Sequence, residues 1–316
     1  MDSVSRRFGD FDAVSTVSLE VPASTILGLI GPSGSGKTTV VRMCTGTLAP
    51  TAGTLRVLSE EPRRFHRKTR ERIGYMPQHF VLYPELTTAE NVAFVASLFG
   101  MLWWRRRKRA KQVLQFVELW DVRNRRAGQL SGGMQRRLEL ACALVHEPAI
   151  LFLDEPTAGI DPVLRQTIWE ELRRLRDAGR TLFVTTQYVG EAEHCDQVAL
   201  LQRGRLVALA PPEELRRKAL SGDVIELETN QELTRGAVTN ALKRIPGFKR
   251  VQPTEHQNKW LVIVEDAGEA TPRLMEEVAR HDWEVVTLRE YRPSFDEVFA
   301  RLLTDGDNGQ GGHGRG

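Results

Sequence analysis

The sequence predicts an α/β protein of two domains, the first built on a mostly parallel sheet and interrupted by a helical subdomain. Three observations predict it. Apolar strand-like runs alternate with helical stretches over most of the chain, the pattern turns helical alone in one interval, and a second alternation begins after a Ser-Gly junction. The 316 residues suffice for two separate cores.

In chain order, strands are expected at Ala13 to Val21, Thr25 to Ile30, Ala149 to Leu153, Thr181 to Thr186 and Val198 to Gln202. Several are apolar throughout, the mark of a sheet covered by helices on both faces. Between Pro84 and Arg126 only helical periodicity remains, with Val113, Phe116, Val117 and Trp120 at helix-face spacing, so an inserted helical subdomain is placed at about 84–130. The first domain is expected over 1–220, with Ser221-Gly222 as the linker. From Asp223 to Leu303 the order is strand Val224 to Glu228, helix Gln231 to Arg244, strands around Val251 and at Trp260 to Glu265, helix Ala270 to His281, strand Trp283 to Leu288, and a helix from Ser294. That β-α-β-β-α-β order predicts a small ferredoxin-like α+β module over 223–303. Residues 304–316 are Gly- and Asp-rich and read as a disordered tail.

Composition narrows the function classes. A hydrophobic share of 41% and a charged share of 27% describe an ordinary globular chain. The net charge of +3, from 44 basic and 41 acidic residues, is too small to argue a nucleic-acid partner. Cys44, Cys142 and Cys195 lack C-x-x-C spacing, so neither a disulfide frame nor a zinc site is expected, and a reducing cytosol fits. The longest apolar run, Val92 to Trp104, is well short of the roughly 20 residues that cross a bilayer, and no signal peptide is read.

One segment carries specific chemistry. Gly31-Pro32-Ser33-Gly34-Ser35-Gly36-Lys37-Thr38 fits G-x-x-x-x-G-K-[ST] and follows an apolar strand. Its glycines let backbone N–H groups turn toward phosphates, and the helix that starts near Lys37 points its positive end at them. Lys37 is expected on the terminal phosphates of a nucleoside triphosphate and Thr38 on magnesium, with Thr39 completing the binding set. Downstream, Leu151-Phe152-Leu153-Asp154-Glu155 places two carboxylates at the end of a strand expected beside the phosphate-loop strand. Asp154 can then hold magnesium through water, and Glu155 can face an attacking water. In Leu130-Ser131-Gly132-Gly133-Met134-Gln135, Ser131 is a natural N-cap, so simple capping explains it. Two glycines in a first helical turn cost roughly 1 kcal/mol each relative to alanine, a cost that a bare, phosphate-approaching helix end would explain.

With these motifs and Gln78 in this order, the chain resembles the nucleotide-binding subunits of ATP-binding cassette (ABC) transporters from about Arg6 to Leu215. The resemblance implies a P-loop NTPase cassette fold with bound ATP and magnesium. It makes Gln78 the residue that touches magnesium and the transport partner, Ala158-Gly159-Ile160-Asp161 a loop near the nucleotide, and Phe8 the ring stacked on adenine. An ordinary core phenylalanine is the rival reading of Phe8. It also implies a dimer of two such subunits that sandwiches two ATP molecules, each phosphate loop facing Ser131, Gly132 and Gly133 of the other copy, and an integral membrane permease driven from the cytoplasmic face. Through Arg292-Pro293-Ser294-Phe295-Asp296-Glu297-Val298-Phe299 and LSGGMQRRLELA, the chain looks like the ATPases of drug exporters of the daunorubicin type. An amphipathic helix started by Pro293 and Ser294 is the plainer reading of the first motif. A soluble ABC ATPase outside transport, or a slowly hydrolysing regulator, is the alternative function.

Two departures stand out. Where the family usually places a histidine near the γ-phosphate, this chain has Gln187 within Thr185-Thr186-Gln187-Tyr188. Glutamine can orient water or donate to phosphate but cannot take up a proton. At the start, only Met1 to Val4 precede Ser5 to Phe8, so either the chain begins late or its first strand is abbreviated. Finally, Trp103-Trp104-Arg105-Arg106-Arg107-Lys108-Arg109 sets aromatics beside cations. Either the tryptophans cover the helical subdomain while the arginines are solvated, or the segment makes a membrane-surface or nucleic-acid contact.

Overall fold

The computed structural model describes residues 1–79, 81–256 and 258–308, with side chains through Thr304. The chain divides into two compact units, Met1–Ala210 and Pro211–Gly316. The boundary lies upstream of the expected Ser221-Gly222 linker because Leu220, at the end of the intervening helix, is buried with Val224 and Ile263 of the second unit.

The first unit runs β1 (Asp2–Phe8), β2 (Phe11–Val17), β3 (Ile26–Ile30), α1 (Lys37–Cys44), β4 (Ala52–Thr54), α2 (Arg67–Arg70), β5 (Ile73–Met76), α3 (Thr88–Leu98), α4 (Trp103–Phe116), α5 (Gly132–Leu144), β6 (Ile150–Asp154), α6 (Pro162–Asp177), β7 (Thr181–Thr186), β8 (Gln197–Gln202) and β9 (Arg205–Ala210). Its main sheet has the order β5-β6-β7-β3-β8-β9, parallel except for β9. Every residue of β3 and β6 is buried, which is why both read as unbroken apolar runs. A smaller antiparallel sheet, β2-β1-β4, lies in the same unit.

Four strands escaped the sequence reading. β1 is seven residues long and takes in Ser5 to Phe8. Its sequence, DSVSRRF, is polar because most of it is exposed. β4 is three exposed residues, and β5 is four residues interrupted by Gly74, where a Cβ would meet the Ala143 carbonyl oxygen at 2.6 Å. β9 is only half-buried on the sheet edge. The position of β6 also corrects an expectation. It is not beside β3, because β7 lies between them.

The inserted segment is helical as expected. Thr87 and Glu90 form a reciprocal capping box at the start of α3, with bonds of 3.2 and 2.7 Å. α4 buries Ala110, Val113 and Leu114 and leaves its first turns exposed.

The second unit runs α7 (Pro212–Leu220), β10 (Asp223–Thr229), α8 (Arg235–Leu242), β11 (Phe248–Pro253), β12 (Lys259–Val264), α9 (Ala267–Arg280), β13 (Val285–Glu290) and α10 (Phe295–Asn308). Its sheet order, β11-β12-β10-β13 with all neighbours antiparallel, is the ferredoxin-like arrangement that the sequence order predicted. Ile225, Leu227, Val262 and Val264 pack on Val238, Leu242 and Leu274 of the helices. α10 carries the chain in helical form to Asn308, past the start of the tail expected at 304. Residues 309–316 lie outside the described residues.

Candidate functional site

The parallel register brings the candidate residues to one end of the sheet. Ile30 pairs with Thr186, and Asp154 with Thr185, so the loops that leave β3, β6 and β7 emerge together at the carboxyl ends of the strands. The phosphate loop follows β3. A Cβ at Gly31 would lie 2.1 Å from the Leu201 carbonyl oxygen, so only glycine fits. Gly34 and Gly36 take φ of +76° and +105°, which glycine adopts without steric cost. The loop delivers Lys37 to the first turn of α1, where its Nζ donates to the carbonyls of Gly31 (2.8 Å) and Pro32 (3.0 Å) and lies 3.6 Å from Glu155 Oε1. Lys37 is only 4% exposed, and burial pulls its pKa down while Glu155 opposes the shift. An incoming polyphosphate would give this ammonium the anionic partners that its burial calls for.

Around it, a cavity of about 330 Å³ is lined by Phe8, Phe11, Lys37, Thr38, Gln78 and Glu155, with Ser33, Gly34, Gly36, Thr39 and Ala13 completing the wall. Phe8 is 45% exposed, which overturns the reading of an ordinary core phenylalanine. The Arg6 guanidinium lies 4.4 Å over its ring. Phe11, 64% exposed across the same hairpin, is a second aromatic that sequence reasoning missed, because only the end of β1 was matched to a motif.

The carboxylates divide the work. Asp154 is fully buried. Its Oδ1 accepts from Thr185 Oγ1 at 2.5 Å and from Thr38 Oγ1 at 3.3 Å, whereas Oδ2 is buried with no partner among the described residues. A buried carboxylate oxygen without a partner costs several kcal/mol on the order of a lost charge-assisted bond, so its presence beside a threonine hydroxyl fits a hard divalent cation. Among the described residues no cluster of three His, Cys, Asp or Glu could hold a metal alone. Thr185, reached from β7, is the residue that bridges Asp154 and Glu155: it also accepts from the Glu155 backbone N–H at 3.0 Å.

Glu155 sits at φ +51°, in the left-handed region that costs a non-glycine residue about 1–2 kcal/mol. Gln78 Nε2 donates to its Oε2 at 3.1 Å, so the predicted glutamine is held against the second carboxylate, not against Asp154. Arg136 of α5 reinforces the arrangement. It donates to the carbonyls of Pro77, Gln78 and Glu155 and pairs with Glu139 at 2.8 Å, and Glu139 in turn accepts from the Val81 N–H. Burial pushes the Glu139 carboxyl up. Nothing in the motif itself marked Arg136, since its neighbour Arg137 is equally basic.

Other predicted residues lie apart from the cavity. Ser131 caps α5 by accepting from Met134 N–H at 3.3 Å, and a Cβ at Gly132 would meet nothing within 4 Å. Asp161 is the N-cap of α6, accepting from Val163 and Leu164 at 3.1 and 3.0 Å. Gln187 is exposed directly after β7. None of Ser131, Gly132, Gly133, Asp161 or Gln187 is among the residues that line the cavity.

Residues 14–158 match the family model of the ABC transporter, and residues 211–303 match the C-terminal domain of ATP-binding protein DrrA1-3-like chains. The daunorubicin resistance ATP-binding protein DrrA3 of Streptomyces coeruleorubidus is 34% identical over 96% of this chain and 95% of its own. The probable multidrug ABC transporter ATP-binding protein YbhF of Escherichia coli (strain K12) is 36% identical over 70% of this chain, which spans only 38% of that longer protein. Among solved structures, the dimeric post-hydrolysis state of the ATP-binding cassette MJ0796 bound to ADP and Pi superposes with a TM-score of 0.62 and 29% identity, covering 66% of this chain and 97% of its own. With the phosphate loop, the buried Asp154 and the matched C-terminal module together, the chain belongs to the ABC transporter family of ATP-binding proteins, in the branch that carries a DrrA-like C-terminal domain.

Proposed function

We propose that this chain is the ATP-binding subunit of an export system, which binds and hydrolyses Mg-ATP between two copies of itself and drives a separate membrane permease from the cytoplasmic face. One observation supports the reading: Ser131, Gly132 and Gly133 are not among the residues that line the cavity around Lys37. Lys37, Thr38 and the aromatic pair Phe8 and Phe11 line one cavity, while Gly132 at the N-terminus of α5 faces open space. A second copy would bring Ser131, Gly132 and Gly133 to the phosphates, where bare backbone N–H groups and the helix dipole favour anions. Thr38 and Asp154 would hold magnesium, which when bound neutralises phosphate charge. Glu155, turned by its backbone conformation and steadied by Gln78, polarises the attacking water. Phe8 and Phe11 offer faces for the base. The drug-export assignment follows DrrA3 and YbhF, whose names describe daunorubicin resistance and probable multidrug transport. No helix among the described residues is long and apolar enough to cross a membrane, so a permease would supply the path.

ATP should convert the protein from monomer to dimer in light-scattering measurements when hydrolysis is blocked, and Lys37→Ala should abolish the conversion. A polytopic protein should co-purify from membranes. A monomer at saturating ATP, or recovery with ribosomes alone, would sink the reading.

Gln187 favours a second reading, a slowly cycling regulator. Exposed after β7, it can donate an amide hydrogen to a phosphate but carries no titratable charge. Gln187→His is expected to raise turnover by about 10-fold or more, on the scale of one oriented transition-state contact. Unchanged turnover in a phosphate-release assay would show that this position does not limit the rate.

A further inference from the structure

The tip of the α3–α4 hairpin is built unlike the rest of the helical subdomain. Trp103 and Trp104 are 66% and 53% exposed, with their rings edge to face at 5.9 Å. They therefore do not cover the subdomain. Leu98, at the end of α3, and Leu102, the N-cap of α4, are more than half exposed beside them. Four large apolar side chains in water at one tip forgo the burial that each could gain elsewhere.

The first turns of α4 surround this tip with cations. Its sequence, WWRRRKRAKQVLQF, contains no acidic residue. Arg109 turns inward to the Leu144 and Val145 carbonyls and to Glu147 at 3.6 Å. Arg105, Arg107 and Lys108 are exposed and form no ion pair among the described residues. A protein surface that pairs aromatic and leucine side chains with unpaired cations is complementary to one phase in particular. Indole rings settle at the level of lipid headgroups, leucines enter the acyl boundary, and arginine and lysine meet anionic phosphates. A solvated helix start would need the cations but not the apolar tip. A protein groove would bury the tip but does not call for three neighbouring cations outside any ion pair among the described residues.

We infer that the α3–α4 tip is a membrane-surface anchor: Leu98, Leu102, Trp103 and Trp104 insert into the interface of an anionic bilayer while Arg105, Arg107 and Lys108 bind its lipid phosphates. The contact holds the subunit on the bilayer directly, in addition to any permease. Four apolar chains and three cations give marginal, reversible attachment, as suits a subunit that must also move.

The full chain should co-sediment with vesicles of equal phosphatidylcholine and phosphatidylglycerol at low salt. It should bind far less at high salt, and little to phosphatidylcholine alone. The triple variant Arg105→Gln, Arg107→Gln, Lys108→Gln should lose about 100-fold in partitioning, the sum expected for three surface cations. Tryptophan emission should shift to the blue on binding, and Trp103→Ser with Trp104→Ser should remove that shift. Equal binding to both vesicle types, insensitivity to salt, or wild-type partitioning of the triple variant would overturn the anchor. So would attachment that appears only when permease is embedded in the vesicles, which would assign the tip to a protein partner. Membrane contact and ATP turnover are separable. Lys37→Ala should bind vesicles as the wild type does, and the triple variant should hydrolyse ATP at the wild-type rate in vesicle-free solution.

Discussion

Glu155→Gln is expected to reduce ATP turnover by about 10²–10⁴-fold, the range over which a positioned acid-base group contributes, while nucleotide affinity changes only a few-fold. The geometry separates the two effects. In the proposed site, phosphate would be held by Lys37 and the loop N–H groups and the metal by Asp154 and Thr38, none of which the substitution removes. What it removes is the negative charge that lies 3.6 Å from Lys37 and accepts from Gln78 at 3.1 Å. The glutamine is nearly isosteric and keeps the backbone bonds to Thr185, so the fold and the strained φ should persist. Single-turnover phosphate release and a fluorescent-nucleotide titration check the two halves. Turnover within 10-fold of wild type would show that Glu155 does not polarise the water and would shift that role toward Gln187.

The same residues show where sequence reading reaches and where it stops. Lys37, Thr38, Asp154 and Glu155 were legible because each belongs to a contiguous pattern whose chemistry fixes its neighbours. The strands that carry them were legible because total burial leaves an apolar run. β1 was not, since an exposed strand of charged and hydroxyl residues has no hydrophobic signal. Thr185 was read as part of a strand, and its double role became visible only when β7 came to lie between β3 and β6. Arg136 illustrates the same limit. Its value lies in reaching three carbonyls from two distant loops, and no one-dimensional spacing records that. For Phe8 the sequence offered two readings, and exposure removes the one that places it in the core.

Gly132→Leu is expected to leave the isolated protomer folded, with equal or higher Tm, and to lower turnover by about 100-fold or more through loss of the ATP-dependent dimer. At Gly31 a side chain would collide with the Leu201 carbonyl oxygen, so Gly31→Ala should damage the fold itself. At Gly132 a Cβ meets nothing within 4 Å, and its φ is not in the left-handed region, so nothing inside the protomer requires glycine there. Replacing a glycine in the first turn of α5 should even favour the helix, by up to about 1 kcal/mol. Gly133 is intermediate, since its Cβ would meet only Leu164 Cδ2, the far end of a flexible chain. In the proposed assembly, the surface of a second copy accounts for a glycine that lowers the stability of its own helix where a Cβ would meet nothing in its own subunit. Thermal denaturation, nucleotide binding by the protomer, and dimer formation with ATP then form one test. If Gly132→Leu dimerises and hydrolyses ATP like the wild type, the opposite subunit's phosphates do not approach α5, and the two-copy sandwich is the wrong assembly.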